Sequence, residues 1–175
     1  VERAGARVAD ISVDDLLADM REATRSASIA AMEGAEVHAG WLSTDAAATI
    51  DPRLGGPLSR AAAVAAPVYI RAIRRRAALA AAMDERLAGI DVLALPTVPI
   101  LAPAIGAMLA DEVLCRRTEG LLLRNTQVAN QFDLCAVTLP MPGTRLPAGL
   151  MLVARNGHDR RLLAIATAVE RLLGA

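Results

Sequence analysis

Three short apolar runs stand out along the chain, and prolines or glycines bound each of them. Asp91-Val92-Leu93-Ala94-Leu95 ends at Pro96, Cys135-Ala136-Val137-Thr138-Leu139 ends at Pro140, and Gly149 to Ala154 reads GLMLVA. Runs of this length, without polar alternation, predict strands buried on both faces. Between them the apolar spacing changes to the helical period. Ile70, Ile73, Ala77, Ala80, Met83 and Leu87 keep that period, with Arg71, Arg74, Arg75, Arg76 and Arg86 mostly on other faces. The arginine run reads as a solvated face. Leu162, Ile165, Ala166, Val169, Leu172 and Leu173 give a closing helix one apolar side, with Asp159 able to cap it and Gly174 to stop it.

The first ninety residues read mainly as helix. Gly5 to Ile11 alternates weakly and predicts a short strand. Ser12 is placed as an N-cap with Asp15 three residues on, and Leu16, Leu17 and Met20 supply that helix with an apolar stripe. A second helix is expected from about Ser26 to Trp41, interrupted at Gly34. Asp51-Pro52-Arg53-Leu54-Gly55-Gly56-Pro57 has loop composition, and Ser59 can cap the long helix after it. Pro67 should kink or divide that helix and Gly89 should end it. Pro96 to Pro103, with proline also at 99, must run extended. Residues from Asp111 to Asn130 read mainly as helix, and Pro142-Gly143-Thr144 as a turn. The order is helices, strand, helix, strand, strand, helix, which makes an α/β layer.

Composition narrows the chemistry. Apolar residues make up 54% of the 175 positions, with alanine prominent among them, and aromatics only 2%. Nineteen basic residues balance nineteen acidic ones, which excludes a chain that binds nucleic acid or anionic membrane through surplus positive charge. All the basic residues are arginine; there is no lysine. Cys115 and Cys135 form no paired motif, and with His38 and His158 they outline no metal cluster. Reduced thiols point to a cytoplasmic location. The longest apolar stretch, Ala61 to Ile70, contains Pro67 and falls far short of the ~20 residues of a membrane span. No cofactor motif is present. A start at Val1 rather than methionine implies an upstream segment.

Three segments carry a resemblance to a known family. DVLALPTVPILAP, from Asp91 to Pro103, resembles the D-x-L-x-x-P-T-x-P-x-x-A-P strand and loop of the amidase signature family. RNTQVANQFDLCAVTLP, from Arg124 to Pro140, resembles its late Asn-bearing helix and following strand. LPAGLMLVARNGHDRRLLAIATAVE resembles its last strand and closing helix. Gly5-Ala6-x-Val8 and the stretch His38, Trp41, Asp51-Pro52-Arg53 fit more loosely. The resemblance implies the C-terminal part of the family's α/β mixed sheet flanked by helices. Residues 1–175 would form one C-terminal lobe, with a helical region at about 12–89 and a strand and helix region at about 90–175.

Members of that family hydrolyse or transfer amide nitrogen with a nucleophilic serine, a second serine and a lysine that must be neutral to act as base. Those residues lie N-terminal to the region matched here. Ser12, Ser26, Ser28, Ser43 and Ser59 have no glycine-rich context and no lysine to serve them, so no catalytic residue is carried over. What the resemblance leaves is part of a substrate pocket: Thr97, Arg124, Asn125, Thr126, Asn130 and Arg53. Arg124 could clamp a carboxylate or an amide oxygen, or be a surface arginine; Asn125 and Asn130 could equally cap or cross-link backbone. His38 and Trp41 at a helix end read as packing, His158 as a solvated turn residue and Cys135 as a small apolar strand residue.

The expected function is therefore that of a C-terminal fragment of an amidase-type hydrolase of small amides. The amidase subunit of a tRNA-dependent amidotransferase shares the pattern, and a non-catalytic assembly module derived from the family is the reading from another class. The expected partners are a small amide substrate and the missing N-terminal half. Exposed sheet edges predict self-association of the isolated chain; direct binding of nucleic acid or membrane is not expected.

Overall fold

The computed structural model describes residues 1–174 and divides into two compact units, one of residues 13–79 and one of residues 1–12 with 80–174. The helical unit contains α1 (Asp14–Ala23), α2 (Ile29–Val37), α3 (Ala39–Leu42), α4 (Pro52–Ala62) and the first part of α5 (Ala66–Arg86). The other unit contains the end of α5, then β1 (Leu93–Pro96), α6 (Ile105–Ala110), α7 (Glu112–Arg124), α8 (Thr126–Gln131), β2 (Cys135–Pro140), β3 (Gly149–Ala154) and α9 (Asp159–Leu173).

In the helical unit several boundaries differ from the sequence expectation, each for a local reason. The α1 cap falls on Val13 rather than Ser12, whose carbonyl accepts a 2.8 Å bond from the Arg86 guanidinium. Gly34 lies inside α2, and the break comes at His38 instead. A Cβ at Gly34 would stand 3.0 Å from Leu58 Cδ2, so this glycine serves close approach of α2 and α4. Residues 51–57 form no loop. Asp51 caps α4 by accepting from Arg53 N at 2.9 Å, and Pro52 occupies the first helical position, where a missing N–H costs nothing. Ser59 therefore lies within α4. Pro67 divides α4 from α5 and sits in the first turn of α5. Met32, Ala35, Ala61 and Ala72 form the buried cluster. Tyr69 Oη donates to Glu33 at 2.8 Å, and Arg75 pairs with Asp19.

In the sheet unit the strands pair antiparallel in the order β1-β3-β2. Leu93 faces Val153 and Leu95 faces Met151, while Ala136 and Thr138 flank the same two residues from the other side. One sheet face, with Leu139, Leu152 and Ala154, packs on Leu162, Ile165, Ala166, Val169 and Leu173 of α9. Leu172, expected on that face, is exposed. The opposite face, with Met151 and Val153, packs on Ala129 of α8 and on Leu134. Both faces of β3 are thus covered, which is why it reads as an unbroken apolar run. Gly174 closes α9 at φ +76°, and Gly143 turns the β2–β3 connection at φ +73°.

The strand expected over Gly5–Ile11 is absent. Gly5 at φ +89° closes a single 3₁₀ turn, and Val8 is exposed. Weak alternation supplies side-chain preference, but a strand also needs a neighbour for its backbone groups. Helix α6, in a stretch between the extended segment and the next expected helix, buries no residue and has no side-chain cap. Gly89 lies in a turn after α5 without positive φ.

Arg155, just after β3, forms a two-point pair with Asp84 of α5, Nε to Oδ1 at 2.6 Å and Nη2 to Oδ2 at 2.5 Å. The guanidinium holds the Asp84 carboxyl below its ordinary range. A carboxyl whose pKa is lower folded than unfolded stabilises the fold above the unfolded value, and that contribution is lost as pH falls through the folded one. Asp84→Asn should therefore lower the urea midpoint at neutral pH, and the difference should shrink below pH ~4, the ordinary carboxylate value. A difference that stays constant down to acid pH would show that the pair contributes through shape alone.

Candidate functional site

The polar residues of the sheet unit gather at one end of the sheet. Thr97 follows β1 and extends the ladder by one bond, its N–H donating to Gly149 O at 2.9 Å. Its hydroxyl lies 3.1 Å from that of Thr138 on β2, across the backbone of β3. The two threonines reach each other because Gly149 stands between them. A Cβ there would fall 2.6 Å from Thr97 Oγ1 and 2.7 Å from Thr138 Cγ2. Strand register places both hydroxyls on the face shared with Met151 and Val153, just beyond where that face is packed.

Asn125, at the junction of α7 and α8, is 8% exposed. Its Nδ2 donates to Pro96 O at 2.7 Å, and its Oδ1 accepts from Arg124 Nε at 3.2 Å. The amide thus fixes the backbone immediately before Thr97 and orients a guanidinium. Arg124 is exposed, and its terminal nitrogens make no hydrogen bond among the described residues. They remain available to an acceptor. Of the six residues expected from the sequence, the structure brings Thr97, Arg124 and Asn125 together and adds Thr138 and Gly149. Thr126, the first residue of α8, donates to Leu123 O at the end of α7 at 3.1 Å. Asn130 is exposed near the end of α8.

Arg53 belongs to the helical unit. It lines an open cleft of about 420 Å³ with His38, Trp41, Ile50, Leu54 and Pro57. Trp41 Nε1 donates to His38 Nδ1 at 3.0 Å, which leaves the proton of a neutral imidazole on Nε2. Arg53 is held by Asp51, Nη2 to Oδ2 at 2.5 Å and Nε to Oδ1 at 3.0 Å. The guanidinium, with the Arg53 N–H, lowers the Asp51 carboxyl to about 2. An anionic ligand at Arg53 would compete with a carboxylate already in place. Neither arrangement holds a nucleophile beside a base. The single Cys135 S–H has the carbonyls of Arg155 and Ala154 as acceptors at 3.3 and 3.5 Å, and burial pushes its thiol up, away from a reactive thiolate.

An α/β layer with these motifs defines a class that likeness to known proteins makes specific. The family model described as Amidase matches residues 2–163. The chain belongs to the amidase family. It is 34% identical over 87 residues to 2-amino-5-chloromuconic acid deaminase of Comamonas testosteroni, covering 49% of this chain and 19% of that protein. It is 32% identical over 106 residues to the A subunit of glutamyl-tRNA(Gln) amidotransferase of Sulfurisphaera tokodaii, covering 60% and 22%. The chain thus spans about a fifth of these curated relatives. Kluyveromyces lactis allophanate hydrolase shares the fold at a TM-score of 0.76 and 23% identity, over 93% of this chain and 26% of its own. A 6-aminohexanoate cyclic dimer hydrolase does so at 0.74 and 19%, over 98% and 39%.

Thr138 and Gly149 are not among the residues expected from the sequence. The lone hydroxyl in C-A-V-T-L-P was a signal, but its meaning depends on which strand lies beside it. Gly149→Ala should destabilise the chain by about 1–3 kcal/mol, the usual cost of forcing a methyl into packed space, read as a lower urea midpoint. An unchanged midpoint would mean that the sheet end is open enough to accept a methyl.

Proposed function

We propose that this chain is the C-terminal part of an amidase-type hydrolase that cleaves the carbon–nitrogen bond of a small amide. In this reading it supplies core and one wall of the substrate pocket, and the nucleophilic serine and its lysine base come from the rest of the parent protein. The family match over residues 2–163 carries the reading, and the absence of any lysine from the chain sets its limit. Thr97, Thr138 and Arg124 form the wall, with Asn125 positioning both the Thr97 backbone and Arg124. Thr126 and Asn130 are assigned to the periphery of substrate binding, and Arg53 stays a candidate within the helical unit's own cleft. The cytoplasm is the compartment that fits the free cysteines, and among the described residues no helix is long and apolar enough to cross a membrane. Similarity to the A subunit of an amidotransferase supports a second reading, in which the nitrogen released is passed on rather than discarded. The open edges of β1 and β2 support self-association of the isolated chain.

The purified chain should release neither ammonia nor amine from small amides. Turnover that disappears on mutating one of its own serines would overturn the division of labour. In the complete parent enzyme, Arg124→Ala should raise KM roughly tenfold while kcat moves less, the pattern of lost ground-state binding. A KM equal to that of the parent would remove Arg124 from the pocket.

A further inference from the structure

The helical unit carries a second cleft, of about 620 Å³, formed between α2, the end of α4 and the start of α5. Its floor is apolar and small: Met32, Ala35 and Ala61 are all buried. Its polar lining is Glu33, Glu36 and Tyr69, and no basic side chain lines it. Tyr69 Oη donates to Glu33 at 2.8 Å, which anchors the ring of Tyr69 against that wall. Glu36 is exposed, and its carboxylate makes no hydrogen bond or ion pair among the described residues. The volume lies in the range of small-molecule sites. An anion would meet two carboxylates and no compensating donor but the committed phenol. A bare metal ion is not served either, since among the described residues no group of three or more His, Cys, Asp or Glu could hold one. An organic cation satisfies each part of the lining. Its hydrocarbon covers the apolar floor, and its charge is attracted both by carboxylate and by the aromatic ring that lines the cleft.

We propose that this cleft binds an organic ammonium ion, with its hydrocarbon part on Met32, Ala35 and Ala61 and its charge directed to Glu36 and Tyr69. The inference does not rest on the amidase reading, because it concerns binding alone.

The test is calorimetric titration of the full chain with 2-phenylethylammonium and, separately, with the neutral 2-phenylethanol of nearly the same shape. Saturable binding of the ammonium is expected, with the alcohol about three- to tenfold weaker, and the ammonium weakened by the same factor in Glu36→Gln and at ~0.5 M salt. Glu36 is exposed, so the variant should keep the parent's circular dichroism, and the alcohol comparison needs no variant at all. Equal affinity for alcohol and ammonium, an affinity unchanged in Glu36→Gln, or no saturable binding would each overturn the proposal.

Discussion

One strand bears the constraint on which the sheet unit depends. In a sheet ordered β1-β3-β2, only β3 has both its hydrogen-bonding edges filled. Its Met151, Leu152, Val153 and Ala154 are all buried, alternately against α8 and α9. Full burial of side chains this size contributes about 1.5–3 kcal/mol each for the larger ones. Such a strand admits polar chemistry only where it ends. At Gly149 it ends with no side chain, and the hydroxyls from the flanking strands meet over that gap. The candidate site's position is thus a consequence of how the core is covered.

The same geometry sets the place of the buried Asn125 amide. A junction between two helices that face a strand end could move freely if only apolar contacts held it. The Asn125 amide ties it to the Pro96 carbonyl and at the same time accepts from Arg124. Proline supplies a carbonyl but no N–H, so Pro96 can take part on this side without a competing donor. A guanidinium oriented through Nε keeps its terminal nitrogens outward, the arrangement that suits recognition of a carboxylate or amide oxygen. In the proposed enzyme these links convert a packing feature into a pocket wall.

Much of the sheet unit was legible because its signals are local. Continuous apolar runs give β2 and β3 to within a residue and β1 to within two, and α9 shows its face through helical spacing. Where signals depend on partners, the sequence misleads. Gly5–Ile11 alternates as a strand should, yet no strand lies beside it. Asp51–Pro57 has the composition of a loop, but Asp-Pro is also how a helix begins, and the cap decides. Thr97 was visible from its motif; Thr138 and Gly149 were not, because their roles follow from register between strands far apart in sequence. Arg53 stood beside the others in the resemblance, whereas the fold gives it its own carboxylate partner in the helical unit.

Alanine, prominent among the apolar residues, shapes the helical unit in another way. Ala35, Ala61 and Ala72 bury little area each, but they let helix backbones approach closely, as Gly34 does beside Leu58. Small residues at a helix crossing fill it without reaching outward, so the flanks of the crossing stay hollow. A larger side chain at Ala35 or Ala61 would fill that hollow and push the helices apart. The cleft beneath Glu33, Glu36 and Tyr69 is therefore the geometric counterpart of close packing by small side chains. Its negative rim follows from the residues that the exposed side of α2 presents. Closeness between helices and an open cleft at their edge are two results of the same choice of alanine.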